Sequence, residues 1–168
     1  LGPVAIVPLI VGRCPARAVA EALDSTWGDD ATLVVVSSDL SHYLGEDEAR
    51  ARDERTRLAI IEGRADDIGP YDACGCVPIA GLLLAAHDHD VAPRTLAVGT
   101  SADGSGDATR VVGYGSFGFE PPRPLTGGER AWLLARAHAA IAYELVTGAA
   151  DPLDDEDVPE HLRVPGAT

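Results

Sequence analysis

Four short runs of apolar, mostly branched residues, each closed by a turn signal, constrain this chain more than any other feature. They are Val4–Val11, Leu33–Val36, Thr95–Thr100 and Arg110–Phe119. Runs of this length and composition read as strands, the first two as buried ones. Pro8 marks an edge or a bulge in the first. Helical stretches separate them. Over Pro15–Trp27, the residues Ala16, Val19, Ala20 and Leu23 fall on one stripe. Over Glu46–Glu62, three acids fill the first turn, where the helix dipole favours anions. Glu46–Arg50, Glu48–Arg52 and Asp53–Arg57 stand at i,i+4 in the favourable order, and Gly63 is a natural stop. Pro78–Ala86 reads as a short apolar helix with a proline near its start. Strands alternating with helices imply an α/β layer with a largely parallel or mixed sheet and flanking helices.

The second run ends abruptly, in "VVVSSDLSHY". In open α/β sheets, ligands bind outside the carboxyl ends of the strands. Asp39 and His42 sit just past such an end. A carboxylate and an imidazole there can coordinate a metal, or act as base and orienter. Equally, Asp39 or Ser41 can cap a helix start, with His42 in a polar interior. Cys74 in "DACGCVPI" stands just ahead of a helix start. The positive end of the helix dipole favours thiolate there, the form that binds metals or attacks. The other reading is a cysteine behaving as a small apolar residue. Gly75 lets backbone approach closely at that point.

Other polar groups carry less. Cys14 and Cys76 read as structural. His87 and His89, in "HDHD", read as a solvated helix end. His138 and His161 have no ligand set near them in sequence. Ser37 and Ser38 lie near Asp39 and His42, but the G-x-S-x-G elbow of a serine hydrolase is absent. The loop "SADGSGD" has the glycine content of a phosphate loop without its lysine; the chain has none, and all 13 basic residues are arginine.

With 27 acidic residues the formal net charge is −14, which disfavours nucleic-acid phosphates and anionic membranes as partners. No apolar stretch reaches the roughly 20 residues of a membrane span, and no signal segment opens the chain, so a cytoplasmic location is expected. Three cysteines make a poor disulfide framework. The chain opens at Leu1, directly in an apparent internal strand, and is expected to be a piece of something longer.

"EPPRP" at Glu120–Pro124 breaks both helix and strand and reads as a linker over residues 120–125. Thr126 and Glu129 then form a T-x-x-E capping box. The helix after it carries Leu134, Ala137, Ile141 and Leu145 on one face and ends near Gly148. "DPLDDEDVPEH" beyond it reads as extended.

In order and character, "VVVSSDLSHY", an acidic helix, "CGCVPIAGLLLAA" and "TSADGSGDATRVVGYGSFGF" resemble the C-terminal half of the Memo family, known in bacteria and archaea as AmmeMemoRadiSam system protein B. The resemblance spans residues 1–119. Residues 126–168, with "LTGGERAWLLARAHAAIAYELVTG", resemble the opening of an AMMECR-type domain, AmmeMemoRadiSam system protein A, without that domain's L-R-G-C-I-G-type motif. The resemblance implies a fold similar to class III extradiol dioxygenases, which use non-haem iron. It implies a pocket to which Asp39, His42 and Cys74 contribute, iron or copper as cofactor, and a radical SAM protein as partner. It also implies that further pocket histidines belong to an N-terminal half, without which the sheet would expose apolar surface and self-associate. Three functions follow: a metal-dependent redox protein, a non-catalytic adaptor binding peptide through the same pocket, or hydrolase-like use of Cys74 as nucleophile with His42 as base.

Overall fold

The computed structural model describes residues 4–28, 31–122 and 124–149. Backbone contacts divide the chain into two compact units, Leu1–Pro122 and Arg123–Thr168. The first contains helices α1 (Ala16–Asp24), α2 (Glu46–Ile61), α3 (Cys76–Asp88) and the single turn α4 (Ala102–Ser105). Its strands are β1 (His42–Leu44), β2 (Ala92–Thr100) and β3 (Val111–Glu120).

The sheet differs from the expected parallel layer. It has three strands in the order β1-β3-β2, and both pairings are antiparallel. β2 and β3 are consecutive in the chain and joined only by α4 and its flanking turns. A parallel pair needs a crossover of a dozen residues or more, so this short connection permits only a hairpin. Ala92 pairs with Glu120 at one end of the ladder and Thr100 with Gly113 at the other, with an irregularity between Thr95 and Ala97. Pro93 is tolerated because β2 pairs on one side only among the described residues.

Two expected strands do not form. Residues 4–11 and 33–36 are without ladder partners among the described residues. Ile6, Ile10, Leu33 and Val35 are exposed, not buried. The alternate side chains Val34 and Val36 pack inward on the cluster of Val19, Ala20, Leu23, Leu82 and Ala85, where α1 meets α3. The period-2 pattern therefore has one covered face and one open face.

A second cluster lies beneath the candidate site. Leu40, Ala59, Ile60, Ile68, Ala73, Ile79 and Leu83 form it, with Phe117 and Phe119 packed against it. A cleft of about 310 Å³ adjoins it, lined by Leu40, Ile60, Ile79, Phe117 and Ser38 among others.

On α2 only one of the three anticipated ion pairs forms. Arg50 reaches Glu46 at 2.6 Å and also Asp103 on α4 at 2.8 Å. Arg52 lies 3.9 Å from Asp72 instead of on Glu48, and Arg57 pairs with Glu54 at 2.7 Å. Asp53 turns inward to a backbone amide, as described below. Helical spacing permits the i,i+4 pairs, but Arg52 and Asp53 turn to tertiary partners and Arg57 takes Glu54 at i,i+3 on the same helix.

In the second unit, α5 (Gly127–Thr147) opens on the anticipated capping box of Thr126 and Glu129, and Gly148 closes it in the left-handed conformation, φ 67°. Leu134, Ile141 and Leu145 on its apolar stripe are exposed. His161 and the acidic segment "DPLDDEDVPEH" lie outside the described residues. No described helix is long and apolar enough to cross a membrane.

Two outcomes follow. Leu40 is 3% exposed, so Leu40→Ala should cost about 2–4 kcal/mol in urea unfolding. The Thr100 amide, and secondarily Arg50, hold the Asp103 carboxyl below its usual range. In the unfolded chain that carboxyl titrates near 3.9 or so. Its contribution is therefore complete above that value and lost as pH falls through the lower folded one. Amide protection at the β2–β3 turn should weaken in that acid window, and Asp103→Asn should reduce the pH dependence, leaving the part carried by Asp107, which Thr109 also holds low.

Candidate metal centre

The chain from Ser38 to Leu44 is held in place by its neighbours. Leu40 N–H donates to Gly113 O at 2.9 Å, and Gly113 N–H donates to Ser41 O at 2.8 Å. Leu40 and Ser41 are buried, which leaves Asp39 and His42 pointing outward on either side. Immediately after, His42 pairs with Val112 and Leu44 with Val111, so Tyr43 is the extra residue of a bulge. Tyr43 has φ 62°, a left-handed conformation that costs a non-glycine residue about 1–2 kcal/mol. The Arg110 guanidinium lies over its ring at 4.3 Å. The bulge turns the chain just where His42 leaves it.

A second segment arrives at the start of α3. Cys74 N–H donates to Asp39 O at 3.3 Å, and Asp39 N–H donates to Cys74 Sγ at 3.3 Å. Gly75 N–H donates to Ser38 Oγ at 2.8 Å, and Ser38 Oγ lies 3.5 Å from Cys74 Sγ. The approach is close because residue 75 has no side chain: a Cβ there would stand 2.7 Å from Ser38 Cβ. These hydrogen bonds zip residues 38–39 to residues 74–75.

The result brings together all three residues singled out in the sequence. One ligand atom each from Asp39, His42 and Cys74 lie within 4.8 Å of one another. His42 Nε2 is 3.4 Å from Asp39 Oδ2. The His42 side chain is 31% exposed and that of Asp39 49%, so the trio opens to solvent. A four-coordinate ion at ordinary N, O and S bond lengths spaces its ligand atoms roughly 3.3–3.8 Å apart. The present spacing is wider by about an ångström at most, within reach of small χ rotations of exposed side chains. Oxygen, nitrogen and sulfur donors in one open cluster fit a transition-metal ion.

The remaining candidates go elsewhere. Cys14 and Cys76 are half-buried against the two apolar clusters. His87 is solvated; His89 is exposed as well, but its ring stacks on Trp27 at 4.1 Å, and its Nε2 lies 3.1 Å from Asp24 Oδ1. It ties the end of α3 to α1. His138 lies exposed on α5, in the other unit. Among the described residues, the hydrogen bond of the His42 ring goes to Asp39, and none joins it to Cys74 or a serine. The nucleophile–base pairing of a hydrolase is therefore not formed. Ser38 is the neighbour that sequence reasoning undervalued. Its signal was its position next to Asp39, but what it bonds depends on a segment 36 residues away.

The close approach has a direct test. Gly75→Ala should cost about 1–3 kcal/mol by overpacking against Ser38. Amide exchange at Asp39 and Cys74 should rise with it, measured by urea unfolding and hydrogen exchange.

Residues 1–118 match the family model described as Memo-like protein. A MEMO1 family protein of Aeropyrum pernix is 35% identical over 88 residues, covering 49% of this chain and 31% of the relative. One from Methanopyrus kandleri is 32% identical over 108 residues, covering 60% and 36%. One from Sulfolobus acidocaldarius is 32% identical over 130 residues, covering 68% and 44%. The first of these relatives are matched over about a third of their own length. No solved structure matches the chain significantly.

Proposed function

Since the chain belongs to the Memo-like protein family, we propose that it is a metal-binding redox protein, with Asp39, His42 and Cys74 holding an iron or copper ion. The observation that carries this reading is the convergence of three chemically different donors, from two segments far apart in sequence, within 4.8 Å. A thiolate beside an imidazole suits copper(I) or iron better than magnesium or calcium. The ion would supply a one-electron couple and a Lewis-acid centre.

The residues of the chain have separable tasks. Cys74 offers the soft donor, and the Asp39 amide donates to its Sγ at 3.3 Å. His42 offers Nε2 and Asp39 offers Oδ2, 3.4 Å apart, a spacing that suits two donors to one ion. Ser38 holds the two segments together and also lines the apolar cleft, so a substrate with an apolar body fits beside the trio. Three protein donors leave positions for substrate, water or further donors. By the family resemblance, the unit beginning at Arg123 opens an AMMECR-type domain, and a radical SAM protein is the partner. A dioxygenase-like fold belongs to the same reading.

Anaerobic loading with Fe(II) and, separately, Cu(I), followed by elemental analysis, tests this. The expected result is close to one ion per chain with one of the two metals, and at least tenfold weaker retention in Cys74→Ser and in His42→Ala. Equal, low retention in all three proteins would contradict the metal reading and favour a pocket that serves as a peptide-binding adaptor.

A further inference from the structure

We infer that Asp53 is a positioning residue for the trio, acting through the Ser41 amide; this rests on the metal reading above. Asp53 is 6% exposed. Burying a carboxylate is costly unless hydrogen bonds compensate it. Its Oδ1 accepts from Ser41 N–H at 2.9 Å. Its Oδ2 has no hydrogen-bond partner among the described residues, and neither has the buried Ser41 Oγ. The anticipated partner, Arg57, pairs with Glu54. A charge placed this way does little for the packing of α2, so its effect is on the backbone that it grips.

That backbone lies between the two ligands. Leu40 and Ser41 are the only residues separating Asp39 from His42. On one side Gly113 takes Leu40 N–H and gives its own N–H to Ser41 O. On the other side Asp53 takes Ser41 N–H. The two clamps interlock, because a Cβ on residue 113 would occupy the place of the Asp53 carboxylate oxygens. Leu40 N–H, Ser41 N–H and Ser41 O are thus held from α2 or β3. A rotation of this peptide would swing Asp39 and His42 apart. Tyr43, with φ 62°, follows directly, and such strain persists only where its surroundings over-determine it. The Asp53 carboxylate is part of that over-determination.

The test compares the chain with Asp53→Ala, Asp53→Leu and Asp53→Asn. Residue-resolved amide exchange is read without metal, and Co(II) affinity is read from the cobalt–thiolate absorption. In Asp53→Ala, the Ser41 and His42 amides should exchange about tenfold faster while amides of α3 are unchanged. Co(II) affinity should fall roughly 10- to 100-fold. Asp53→Leu fills the same space without an acceptor and should behave like Asp53→Ala. Asp53→Asn keeps an acceptor oxygen and should restore both readouts. Unchanged Ser41 exchange in Asp53→Ala would overturn the inference. So would a uniform rise in exchange through α1, α2 and α3, or loss of the fold, in both Asp53→Ala and Asp53→Leu. Those results would make Asp53 a residue of general stability. If the parent chain binds no Co(II), the exchange comparison alone decides whether Asp53 sets the Asp39–His42 turn, and the metal reading stands or falls on the Fe(II) and Cu(I) loading.

Discussion

Everything at the candidate centre depends on one contact: the paired approach of residues 38–39 to residues 74–75. Cys74 N–H bonds Asp39 O, and Asp39 N–H reaches Cys74 Sγ. Because Gly75 has no Cβ, Ser38 can close the same contact from the other side. Without it, Cys74 is a solvent-exposed thiol at a helix start, and Asp39 and His42 are an exposed i,i+3 pair worth little alone. With it, three donors share one small volume. One of its bonds joins backbone to backbone, and the others use Ser38 Oγ or Cys74 Sγ, so the contact depends on those two side chains as well as on the main chain.

The apolar clusters set where those two segments can meet. Leu40 and Ala73, each adjacent to a ligand residue, enter the same cluster with Ile60, Ile79 and Leu83. Burying these two anchors fixes the chain on the inward side, and alternation then leaves Asp39 and Cys74 facing outward. The bulge at Tyr43 re-aims His42 toward the same side. Core packing, a bulge and a glycine contact thus cooperate on a site that itself remains open to solvent. An open site with unfilled coordination positions suits chemistry on a bound molecule better than a closed structural centre does.

Much of this was legible in the sequence, and for physical reasons. The helices were readable because their signals are local: the acids of the first turn of α2, Gly63 at its end, and the Thr126–Glu129 box of α5. Asp39, His42 and Cys74 were readable because donor residues at the end of an apolar run and ahead of a helix start have few structural reasons to be there. The sheet was misread because strand direction is not a local property. Alternation of apolar runs with helices suggested crossovers, but β2 follows α3 and pairs with its own successor β3. The runs at residues 4–11 and 33–36 have strand composition, yet pairing requires a neighbour, and none is found among the described residues. Asp53 was assigned to Arg57 because spacing shows which residues share a helix face and not which of them turns inward. The partners of His89, Trp27 and Asp24, are not readable from the sequence because they lie more than sixty residues away.

The central claim is that Asp39, His42 and Cys74 bind one metal ion together. X-ray absorption of the anaerobic, Cu(I)- or Fe(II)-loaded chain tests it most directly, because it reads the donor atoms themselves. The account predicts one sulfur scatterer at about 2.3 Å together with nitrogen or oxygen scatterers at shorter distance, and loss of the sulfur shell in Cys74→Ser. A first shell of nitrogen and oxygen alone in the unsubstituted chain would contradict it.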